Sequence, residues 1–140
     1  MSRVINTQSV GKERTQLTRS IVLALRELMN QTEVDEHTRD LAAYIVLALE
    51  QIFKTIDVSV SAWEKRGYWV KADRFRMEWI WTESLGSHLQ KALLAEDWPA
   101  VAMTSAQVAE KLREVDVPKR TKLGTPWVGA WNKMHTLNQS

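Results

Sequence analysis

"AWEKRGYWVKADRFRMEWIW", residues 62–81, gathers four of the chain's seven tryptophans and five of its cations into twenty positions. Rings beside cations suit a nucleic-acid surface, whereas rings at helical spacing suit a helical core. The spacing has to decide. "EKRG" at 64–67 ends a helix, with two cations in the last turn and a glycine behind them. Beyond it, a turn of ~100° per residue collects Tyr68, Ala72, Phe75, Trp79, Gly86 and Leu93 on one face. Val70, Met77, Trp81, Leu85 and Ala92 collect on a second face. A helix that is apolar on two sides belongs between other helices. The cations do not share a face, and Arg74 and Arg76 have Glu78 and Asp73 as local partners. The expectation is one helix over about 69–95, lying mainly inside an all-α protein.

Upstream, Leu41, Ile45, Ala48, Leu49, Ile52, Phe53 and Ile56 hold the helical period, giving a long helix over about 35–66. Thr32 with Asp35 forms an approximate capping box at its start. Leu17, Ile21, Ala24, Leu25 and Leu28 make one stripe of a first helix over 11–31. Downstream, Asp97 and Pro99 open a fourth helix over about 98–115. A basic loop, "DVPKRTKLGTP", leads to a short last helix, 126–134, with Trp127 and Trp131 four apart on one side. The fold class is therefore all-α, a four-helix bundle or helical-hairpin array with a short C-terminal helix. Residues 1–10 read as a flexible N-terminus and 11–140 as a single helical domain.

Charge is unevenly spread. Residues 1–30 and 117–140 sum to +7 and the stretch between them to −5, within a net charge of +2. Arg14, Arg19, Arg26, Lys119, Arg120 and Lys122 are the candidate polyanion-binding residues, because guanidinium forks suit phosphate. The competing reading is ordinary solvated surface. Cysteine is absent, which excludes disulfides and thiolate metal sites. The longest apolar run, "LAAYIVLAL" at 41–49, is too short to span a bilayer, so no membrane partner and a cytoplasmic location are expected.

Reaction chemistry finds no motif. His37 lies four residues from Glu33 and three from Asp40, but the His-Glu-x-x-His and paired Glu-x-x-His patterns are missing. Ser87 and His88 are adjacent in sequence without a nucleophile elbow. Gly124 and Gly129 are followed by Ala130 and Trp131 where a phosphate loop needs Lys and Ser or Thr. No catalytic residue, metal or cofactor is expected. A metal-dependent or acid–base enzyme centred on His37 or His88 is the minority reading.

The leading functional reading is a non-catalytic helical interaction module, an accessory subunit that binds a protein partner or itself. Seven tryptophans exceed the needs of a modest core, which makes Trp98, Trp127 and Trp131 candidate interface residues. The alternative is a nucleic-acid-binding helical protein that uses its basic ends.

Overall fold

The computed structural model describes residues 7–118 and 121–139, with side chains from Ser9 to Pro118 and from Thr121 to Leu137. Among the described residues there is no strand. Six helices follow in order: α1 Thr7–Met29, α2 Glu36–Lys65, α3 Trp69–Trp79, α4 Trp81–Leu94, α5 Trp98–Lys111 and α6 Ala130–Gln139.

α2 is the spine, because its sequence holds neither glycine nor proline over thirty residues. Its apolar positions recur around most of the helix, so it has several faces to bury. Leu41, Ile45, Leu49 and Ile52 are fully buried, and Ile56 nearly so. Each such side chain contributes roughly 1.5–3 kcal/mol by leaving water. α2 packs against α1, α3, α4 and α6, while α5 packs on α4 and lightly on α1. Where α4 meets α2 the approach is close: a Cβ on Gly86 would stand 3.3 Å from Leu49 Cβ. No described helix is long and apolar enough to cross a membrane.

Several expectations are corrected. α1 begins at Thr7, four residues before the start that the period marks, and residues 1–6 lie outside the described residues. The cap of α2 is Asp35 itself, whose carboxylate accepts from Thr38 N at 3.0 Å, and Thr32 is no part of it. That backbone donor holds the Asp35 carboxyl below its ordinary pKa. α5 stops at Lys111, four residues early, and α6 starts at Ala130, so Trp127 precedes the last helix.

The largest correction concerns 69–95, which is two helices. The Thr82 hydroxyl donates to the Trp79 carbonyl at 2.8 Å, and Glu83 N and Ser84 N both reach Ile80 O, at 3.1 and 3.4 Å. These bonds mark the break without explaining it, since Thr55 makes the same kind of bond to Ile52 O within unbroken α2. Of the two helices, only α4 lies between others, α2 and α5. Ala72, Gly86 and Leu93 are buried and Phe75 and Trp79 half-buried, but Val70 and Met77 on the second face are 66% and 74% exposed. α3 buries one face only.

Candidate interaction surfaces

The 62–81 stretch builds a ladder of rings. Trp63 meets Phe75 edge-on at 4.9 Å between centroids, Phe75 lies 6.3 Å from Trp79, and Trp79 stacks 6.3 Å from Trp81. Two cations cover the ladder. Arg14 Cζ is 4.8 Å from the Phe75 centroid and Lys71 Nζ is 4.6 Å from that of Trp63. All four rings are half-buried. The ladder is a seam between α2 and α3–α4.

Arg14 is therefore spoken for. Its Nε donates to Thr55 Oγ1 at 3.1 Å, and its Nη2 donates to Thr55 O at 3.2 Å and to Ser59 Oγ at 2.9 Å. Together with the Phe75 ring, these contacts tie α1, α2 and α3 at one point. Partial burial lowers the guanidinium pKa, from a value so high that the group stays charged. Arg14 lies on the core stripe of α1, three residues before Leu17 and seven before Ile21. Arg19 and Arg26 lie on the opposite side, half-buried and exposed respectively. Lys122 is exposed in the loop before α6, and Lys119 and Arg120 lie outside the described residues. No described contact gathers these cations into one site.

The three interface candidates have different surroundings. Trp127 is 5% exposed and belongs to the core with Ala130 and Met134, so it anchors its segment to the protein's own body. Trp131 is half-buried and meets His135 edge-on at 4.2 Å. The start of α6 is fixed by Asp40 of α2, whose carboxylate accepts from Gly129 N at 3.1 Å and Trp131 N at 2.9 Å. Trp98 is half-buried against a hollow lined by Leu28, Val34 and Val101.

Apolar side chains meet solvent around α6, at Val128 and Leu137, and in two further regions. The first is a groove of about 780 Å³ between α4 and α5, with Ile80, Trp81, Leu85 and Met103 as its apolar lining and His88, Gln107, Glu110 and Lys111 as polar neighbours. Met103 is 68% exposed and Ile80 40%. The second is the α2–α3 turn, where Tyr68, Trp69 and Val70 are 54%, 60% and 66% exposed. Lys65, Arg66, Lys71 and Arg74 stand exposed around them.

No family model, no curated protein and no solved structure matches this chain. The two surfaces must be read from their own chemistry.

The histidines show little of an active site. His37 is exposed, its Nε2 lying 3.7 Å from Glu27 Oε2, and His88 is exposed at the groove. Among the described residues no three His, Asp or Glu side chains converge as a metal-holding group. Met77, Ile80, Met103, Tyr68 and Trp69 are the surface residues that sequence reasoning misses. The signal for Trp69 is present, since it lies on neither apolar face of the helix drawn over 69–95. Met103 lies off the stripe of Val101, Val108 and Leu112 in the same way.

Proposed function

We propose that the protein is a non-catalytic interaction module, an accessory subunit that seats an apolar segment of a partner protein in the α4–α5 groove. The observation that carries this reading is the groove itself, an apolar trough whose Met103 is 68% exposed beside half-buried Trp81 and Leu85. Tryptophan and methionine are enriched where proteins meet, and methionine adapts its shape to what it binds. On this reading α1, α2, the α3–α4 pair and α5 serve as a four-helix scaffold, with α6 docked on it as the short last helix.

Affinity purification of the full chain tests the proposal. Wild type should bring down a companion in fixed ratio, or a second copy of itself. Met103→Glu should lose it and Arg26→Glu, on α1, should keep it. Hydrogen exchange should slow across 80–88 and 103–111 in the complex. Retention of the companion by Met103→Glu would exclude the groove as the seat. A wild-type chain that stays monomeric and alone would exclude the module reading.

A further inference from the structure

We infer that the α2–α3 turn binds single-stranded nucleic acid, with Tyr68 and Trp69 as stacking platforms and Lys65, Arg66, Lys71 and Arg74 as phosphate contacts. The site is separate from the α4–α5 groove and does not depend on its role.

The rings carry the first part of the argument. All seven tryptophans lie among the described residues, and of them Trp69 alone is exposed. Its neighbour Tyr68 is 54% exposed. Gly67, at φ +81°, reverses the chain just before them, so both rings stand at the tip of a helical hairpin. Every nucleobase offers a face for such rings, and stacking needs bases that are not paired, which selects a single strand over a duplex.

Charge carries the second part. Lys65, Arg66, Lys71 and Arg74 have no carboxylate partner among the described residues. The two acids closest to them in sequence, Glu64 and Asp73, are both taken by Arg76, at 3.7 and 3.3 Å. Lys65, Arg66 and Arg74 are thus left to complement an anion, and Lys71, whose Nζ lies over the Trp63 ring, keeps its charge exposed beside them. A polyphosphate backbone supplies that charge at the spacing of successive bases. A bilayer fits less well, because a helix lying on anionic lipid needs a basic polar face. Beyond its first turn α3 exposes Asp73 and Glu78 alongside Arg74.

The test is fluorescence anisotropy of labelled oligo(dT) and oligo(U) with the full-length chain over a salt series, with phosphatidylserine vesicles as a parallel arm. Binding should lie in the range of about 10⁻⁴–10⁻⁶ M near physiological salt, with a log–log salt slope of about −3 for four contacts at roughly 0.7 each. Lys65→Glu with Arg66→Glu should reduce that slope by about 1.4 or more. Trp69→Ala should weaken binding about tenfold with the slope unchanged, and Trp69→Phe should restore most of it. That split between slope and affinity is one a merely structural role would not produce. Absence of binding at low salt overturns the inference, as does binding indifferent to all these variants. Loss of binding on reversing Arg19 and Arg26, with Lys65→Glu/Arg66→Glu unaffected, would move the site to α1. Vesicle binding lost in Trp69→Ala, with no oligonucleotide bound, would make the turn a lipid contact.

Discussion

Two helix-to-helix turns in this protein share one backbone design and put their aromatics to opposite uses. After α2, Tyr68 N bonds Trp63 O at 2.9 Å and Gly67 N bonds Glu64 O at 3.0 Å. After α4, Asp97 N bonds Ala92 O at 2.9 Å and Glu96 N bonds Leu93 O at 3.0 Å. Both are Schellman turns, which need a left-handed residue, and the two residues differ. Gly67 takes φ +81° freely, whereas Glu96 is held at φ +53°. A side chain in that region costs about 1–2 kcal/mol. The compensation is visible: Glu96 Oε1 accepts from Arg39 Nε at 2.9 Å and Nη2 at 2.6 Å, tying the second turn to α2.

The flanking residues diverge further. After the second turn Asp97 caps α5 by accepting from Ala100 N at 3.2 Å, and Trp98 folds back against Leu28 and Val101. After the first turn no side chain caps α3, and Tyr68 and Trp69 face solvent. One turn is a joint closed onto the body, and the other is a tip. A shared backbone motif therefore says little about whether its side chains serve stability or contact.

Truncating the paired tryptophans should separate the two turns most widely. Trp98→Ala is expected to destabilise the fold by about 2–3 kcal/mol, somewhat below the cost for a fully buried ring. Trp69→Ala should stay within about 0.5 kcal/mol, as exposed positions do. Equal losses in urea melts would erase the distinction between joint and tip.

Next in size is the strain test. Gly67→Ala should cost about 1 kcal/mol, because the new Cβ must enter the left-handed region although nothing lies within 4 Å of it. If thermal unfolding of this variant matches the parent, the turn is not held left-handed in solution.

The smallest effect sharpens the comparison most. Glu96→Gly removes the strain and the Arg39 pair together, so the net change should be under about 1 kcal/mol. In the Arg39→Ala background, where no pair remains to lose, Glu96→Gly should be stabilising by about 0.5–1 kcal/mol. A destabilising result there would show that Glu96 carries no backbone strain for glycine to relieve.

The same two turns show how much the sequence tells. "EKRG" announces the end of α2, because glycine after cations has one common use. "LAED" announces nothing comparable: Glu96 turns left-handed where no glycine stands, and its pair with Arg39, 57 positions away, is not written in the local sequence. The break at Ile80 is hidden as well, since neither glycine nor proline stands near it. Helix number up to that break, helix order and the spine at α2 follow from period alone. Arg14 was legible too, on the stripe with Leu17 and Ile21, had its charge not argued for a surface role. The exposure of Tyr68 was not, because the period puts it on the face of Ala72 and Trp79, which is buried only beyond the helix start.

The Asp40 contact with the start of α6 bears on the order in which the protein assembles. Its two hydrogen bonds span 89 and 91 positions of the chain. α1 meets α2, and α4 meets α5, across connections of a few residues. Closing the longer loop carries the larger entropic cost, and long-range contacts form late. α6 is thus a latch that engages an already folded surface. With only ten residues of its own, it has little helical stability until it docks. Slow opening of the native protein should begin there, with α6 amides exchanging while those in the middle of α2 are still protected.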